Sequence, residues 1–220
     1  MAAQSPEFLS QTPARKLPVW GLVAVLIVLA AFAARFVHSS VLYYLMSYDP
    51  AAYEEMWPRR FGLIPHMLGG TLALTAGLAQ IWLGLTGRTG SLHRALGRLY
   101  VVGIGVGSVG AFYLAATIPG GPNHFVYAAG LSGLACAWVL TTGMALISIR
   151  RRAIEQHREW MLRSYTVTFA FVTFRLFDQI LAHWKVAPAA DIDAFMAFAC
   201  WAFPLLLAEP LIQLRRLSRR

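Results

Sequence analysis

Residues 61–118 read FGLIPHMLGGTLALTAGLAQIWLGLTGRTGSLHRALGRLYVVGIGVGSVGAFYLAATI. Two apolar runs, 61–85 and 94–118, flank a turn containing Thr86-Gly87-Arg88-Thr89-Gly90 and then His93-Arg94. As a helix, each run is long enough to cross a hydrocarbon core about 30 Å thick, which takes roughly 20 residues. Glycine and arginine punctuate the join between them. This stretch reads as two membrane spans connected by a short basic loop.

The same pattern continues outward. Further spans are expected at 17–45, 125–149, 160–184 and 194–213, which makes an all-α, polytopic bundle of six transmembrane helices over 17–213. A flexible tail over 1–16 and a basic tail over 214–220 flank the bundle. Only 13% of the chain is charged and 58% is hydrophobic, whereas soluble domains carry about a quarter charged residues. A water-facing domain of 220 residues cannot hide that much apolar surface. The run after the N-terminal tail has no clear cleavage site and reads as a retained anchor.

The net charge of +9 fits anionic lipid headgroups better than nucleic acid, because the arginines cluster between apolar runs. One side holds Arg15, Lys16, Arg88, Arg94, Arg98, Arg150, Arg151, Arg152, Arg158, Arg163, Arg215, Arg216, Arg219 and Arg220; the other holds only Arg59, Arg60 and Lys185. The positive-inside rule then places both termini and the two basic loops in the cytoplasm. Cys136 and Cys200 sit singly inside apolar runs and imply no disulfide framework. Trp20, Trp57, Trp82, Trp160 and Trp184 fall near expected interfaces.

Small residues recur at helical spacing on the second span (His66, Gly70, Ala73, Gly77, Gln80, Gly84) and on the third (His93, Gly97, Tyr100, Gly103, Gly107, Gly110). Such stripes let helix backbones approach, since lipid offers no hydrophobic drive for association. A flat cofactor between the helices is the alternative use of the same space.

Charges inside a span cost on the order of 2.5–3.5 kcal/mol each, so Arg35, Arg175, Asp178 and Glu209 need partners. Arg175, Asp178 and Gln179 share a face by spacing and, with Gln80 and Glu209, are the expected buried polar network. The histidines fall at two depths: His38, His66, His124 and His183 toward the outer face, His93 and His157 at cytoplasmic helix ends. Both inner histidines precede an arginine. Two levels of imidazole suit haem b, with His66, His93 and His157 as candidate iron ligands and Arg94, Arg158 and Arg163 facing propionates. A quinone hydrogen-bonded by the same histidines is the second possibility. There is no HExxH, Walker loop or GxSxG, and Gly103-x-Gly105-x-Gly107 lies inside a span with no preceding strand. No catalytic residue is identified.

Three segments carry a resemblance. His66-Met67-Leu68-Gly69-Gly70 with Gln80 is similar to an opening His-x-x-x-Gly helix. Leu92 to Tyr100 reads Leu-His-Arg-x-Leu-Gly-Arg-x-Tyr, and His157 to Tyr165 reads His-Arg-x-Trp-Met-x-Arg-Ser-Tyr, followed by Arg175. Over about 60–212 the chain resembles the bacterial membrane family known as domain of unknown function 2306. Trp201, Pro204 and Glu209 fit its last helix, while Leu205 stands where the family often has asparagine. The first helix lies outside the resemblance. The family name implies a membrane domain and no activity.

The residues therefore allow three functions. The first is haem-b or quinone-linked electron transfer, as a component of a membrane oxidoreductase. The second is a non-catalytic subunit of a larger membrane complex, and the third a small transporter or lipid-handling protein using Arg175 and Asp178.

Overall fold

The computed structural model describes residues 19–217, so the tail over 1–16 and the end of the basic tail lie outside the described residues. All regular structure among the described residues is helical. The first span is α1 (Val19–Phe36), a π-helical segment Val37–Leu42 and α2 (Tyr43–Ser47). Then come α3 (Pro50–Tyr53) and a 3₁₀ segment, Glu54–Arg59. The long helices are α4 (Arg60–Leu85), α5 (Ser91–Ala116) and α6 (His124–Arg150). The chain finishes with α7 (Ile154–Thr168), α8 (Ala170–His183) and α9 (Ala189–Leu217).

Among the described residues, five helical stretches are long and apolar enough to cross a membrane: Val23–Ser47, Pro50–Leu85, Ser91–Ala116, His124–Arg150 and Ala189–Leu217. Side chains such as Ile27, Phe61, Val109, Phe125 and Leu207 are exposed along them. A hydrocarbon solvent accounts for that exposure. The chain is an integral membrane protein.

The expected span 160–184 differs in detail. It starts earlier, at Ile154, and is broken at Phe169 into α7 and α8. No proline or glycine lies at the break. Thr168 and Thr173 hydroxyls bond the carbonyls of Ser164 and Phe169 at 2.9 and 3.2 Å. The Phe169 carbonyl is shared by the amides of Val172 and Thr173. Hydroxyls drawn onto carbonyls one turn back bend helices without a proline.

The closest packing is α4 against α5, running antiparallel. A Cβ built on Gly103 lies 2.8 Å from the Gly69 carbonyl oxygen, and one on Gly110 lies 2.8 Å from the His66 amide nitrogen. Only glycine permits that approach. The α5 stripe read from the sequence is the contact face, while α4 contributes Gly62 and Gly69 besides Ala73. Gly70 and Gly77 face Phe171 and Tyr165, and Gly84 faces open space.

A buried hydroxyl network joins α5, α6 and α7. The Tyr100 hydroxyl is 2.8 Å from both Ser164 Oγ and Thr168 Oγ1, and Thr142 Oγ1 is 2.7 Å from Ser164 Oγ. The Trp138 indole N–H donates to Thr168 Oγ1 at 2.8 Å. Every member is at most 4% exposed. Buried polar groups so paired fix the mutual register of three helices.

Helix ends sort the molecule into two poles. At the basic pole, Arg163 forks onto Glu209 through Nε and Nη2, each at 2.9 Å, and Arg216 pairs with Glu159. These pairs clamp α7 to α9. The opposite pole carries an aromatic cap in which the rings of Tyr44, Tyr48 and Trp57 all lie within 5.8 Å of Tyr53, centroid to centroid. Tyr53 donates its hydroxyl proton to the Tyr44 carbonyl at 2.8 Å.

Candidate functional site

A cavity of about 230 Å³ opens near the aromatic pole. Its walls come from the π-helical segment, the 3₁₀ segment, α4, α5, α6 and α8. Small-molecule pockets usually measure about 300–1,000 Å³, so this one suits a single ring or a slender chain. Leu63, Met67, Leu131, Leu134, Phe171 and Trp138 make most of its surface apolar. Glycine at position 70 leaves room at its base: a Cβ there meets Phe171 at 3.4 Å.

Polar groups converge on it from several elements. His66 is the one imidazole in the wall, and its Nδ1 lies 3.0 Å from the Gly107 carbonyl oxygen. A carbonyl only accepts, so Nδ1 carries the proton and Nε2 keeps its lone pair. Among the described residues no group hydrogen-bonds Nε2. Phe171 holds the ring from one side at 5.0 Å between centroids. Arg59, Arg175, Tyr44, Tyr127, Ser40 and Thr71 complete the polar lining, and the buried Thr71 hydroxyl has no partner.

The residues singled out from sequence fall into separate groups. His66 and Arg175 belong to the cavity. His93 and His157 lie at the basic pole, outside its wall, near enough for their charges to interact. The His157 Nδ1 donates to the Ala145 carbonyl at 2.9 Å, while the buried His93 Nδ1 has no partner. Arg163 is committed to Glu209, and Arg158 bonds Glu155 at 3.0 Å. Of the three arginines expected to face propionates, Arg94 alone has no carboxylate within salt-bridge distance among the described residues.

The expected polar network is split. Gln80 donates to the His93 carbonyl, and Glu209 accepts from Arg163 and Gln213, all at the basic pole. Arg175, Asp178 and Gln179 are on α8 at the other pole. No ion pair joins Arg175 to Asp178; the Arg175 guanidinium lies 6.0 Å from the Phe174 ring instead. Shared spacing put the two on one helix face, but the cavity draws the arginine aside.

As an outer haem site the cavity does not fit two imidazoles. Iron held between two rings needs one opposite His66, and His38, His124 and His183 are all outside the wall. Among the described residues no group of three or more His, Cys, Asp or Glu side chains is gathered for a metal ion. Arg59 was not anticipated as a site residue, because it lies in the connection before the second span and offers no periodic signal. The hydroxyl network also escaped notice, since scattered Ser, Thr and Tyr form no motif.

No curated protein and no solved structure matches the chain. The profile of one family, described as predicted membrane protein (DUF2306), matches residues 63–212. That interval covers α4 to most of α9, both His-Arg segments, His66 and Arg175. The chain belongs to this family of predicted membrane proteins.

Proposed function

We propose that the chain binds the hydroxylated ring head of a membrane quinol in the cavity at His66. The observation that carries this reading is the fixed tautomer of His66. Its bare Nε2 is a hydrogen-bond acceptor in an apolar slot of one-ring size, positioned to receive the proton of a ring hydroxyl. The chain's own residues would orient the ring, and its hydroxyl would donate a hydrogen bond to Nε2. Phe171 and Trp138 provide faces for stacking.

The test is calorimetric titration of the purified protein in maltoside micelles with duroquinol, kept reduced. Saturable binding is expected, weakened on the order of tenfold by His66→Ala and unchanged by His93→Ala. Equal binding by wild type and His66→Ala would refute the reading.

A second reading is favoured by the orphaned His93 Nδ1 beside His157. Those two imidazoles would hold a haem b, with Arg94 toward its propionates, and the group would supply one-electron transfer. An absorption spectrum of protein expressed with ample haem, oxidised and then reduced, checks it; a colourless preparation removes it. The basic pole we assign to the cytoplasm of a bacterial membrane, against anionic headgroups, because the arginine-rich turns gather there. Reporter fusions at both ends of the chain test that orientation.

A further inference from the structure

We infer that Arg59 and Arg175 form an anion-binding subsite at the mouth of the cavity, for an amphiphile with one acidic head on an apolar body. Arg59 is 7% exposed, and among the described residues its side chain donates from Nη2 to the Glu55 carbonyl at 3.2 Å. It also lines the cavity, where the rest of its fork can meet a ligand's oxygen. Burying a guanidinium without an acid is costly unless a partner arrives. Among the described residues no carboxylate lies within 4.0 Å of Arg59 or Arg175, and no acidic side chain lines the cavity.

The neighbouring Arg60 is outside the cavity wall, with its guanidinium over the Trp57 and Phe61 rings at 4.3 and 4.4 Å and Nη1 on the Trp57 carbonyl at 2.8 Å, although its buried Nε has no partner. Arg59 points instead into the cavity wall, and Arg175 approaches the same space from α8. Tyr127, also in the wall, feels the charges of both arginines and of Asp178 and Asp193. Asp178 and Asp193 are not among the lining residues, although the Arg175 charge reaches Asp193, so the ionisable groups in this part of the wall are two guanidiniums and a phenol. Planar forks of this kind suit carboxylate or phosphate. The apolar wall below takes an alkyl chain or ring.

This inference uses the same cavity as the quinol reading but does not depend on His66. The experiment is calorimetric titration of the full chain in maltoside micelles with dodecyl phosphate, dodecanoate and neutral dodecanol. An acidic probe is expected to bind on the order of tenfold more tightly than dodecanol. Arg59→Gln and Arg175→Gln should each erase most of that preference. Arg59→Lys and the basic-pole control Arg151→Gln should keep it. A lead for dodecyl phosphate assigns a lipid-type phosphate head, and a lead for dodecanoate assigns a carboxylic acid. Equal affinity for all three probes, or a preference that survives Arg175→Gln and is lost with Arg151→Gln, overturns the proposal. If duroquinol fails to bind while the acidic probes succeed, only the quinol reading falls.

Discussion

Replacing Gly69 by alanine tests the backbone contact on which the bundle is built. The new Cβ lands 2.5 Å from the Gly107 nitrogen and 2.8 Å from its Cα, and closer still to the Gly103 carbonyl oxygen. These are backbone atoms, which cannot rotate away. Comfortable separations begin near 3.5 Å, so the shortest of these contacts makes α5 retreat from α4 by about 1 Å. A gap of that size forfeits about a quarter to a half of each contact's attraction, with each contact worth only about 0.1–0.2 kcal/mol. Spread over the tens of contacts along two 26-residue helices, the loss comes to about 2–3 kcal/mol. The higher helix propensity of alanine returns at most about 1 kcal/mol, leaving a net loss of about 1–3 kcal/mol. Gly105→Ala is the matched control: it lies in the same helix pair, and nothing is within 4 Å of its built Cβ. It should be neutral or slightly stabilising. Unfolding of both variants by sodium dodecyl sulfate in mixed micelles, followed by circular dichroism, measures the difference. If Gly69→Ala unfolds at the same detergent fraction as Gly105→Ala, the argument for glycine-enforced contact is wrong.

Three further outcomes follow from the same coordinates. Arg163→Ala and Glu209→Ala should each destabilise the chain, with a coupling of about 1 kcal/mol in a double-mutant cycle; the pair is forked but half open on the Glu209 side. Tyr100→Phe should cost about 1 kcal/mol by detergent unfolding, since Ser164 and Thr168 keep other partners when the phenol is removed. Lys185 has φ of 49° after α8, and the Val186 amide reaches back to the Leu181 carbonyl. Lys185→Gly should therefore raise stability by about 0.5–1 kcal/mol, and an unchanged midpoint would count against strain there.

Sequence reading succeeded wherever a periodic physical constraint acts on many residues at once. Bilayer thickness writes itself into run length, and charge asymmetry into the turns, so the spans and the basic pole were both visible. The face of α5 was visible too, because Gly97, Gly103, Gly107 and Gly110 repeat at helical spacing. Features that depend on one side chain meeting another across the bundle were not. The break at Phe169 arises from hydroxyls bonding backwards, with no proline or glycine to announce it. Spacing correctly placed Arg175 near Asp178 in sequence terms, yet distance along one helix says nothing of a cavity on its flank. Glu209 was seen to need a partner, but spacing could not name Arg163, which lies on another helix. Arg59 needed the folded cap to become an interior cation.

The stretch by which relatives are recognised begins at residue 63, but Phe36, Ser40, Val41, Tyr44, Met56 and Arg59 form one side of the chamber. The chamber wall thus joins residues inside the matched interval to residues ahead of it. Substitutions among those six would reshape what the chamber admits without touching the glycine contacts between α4 and α5.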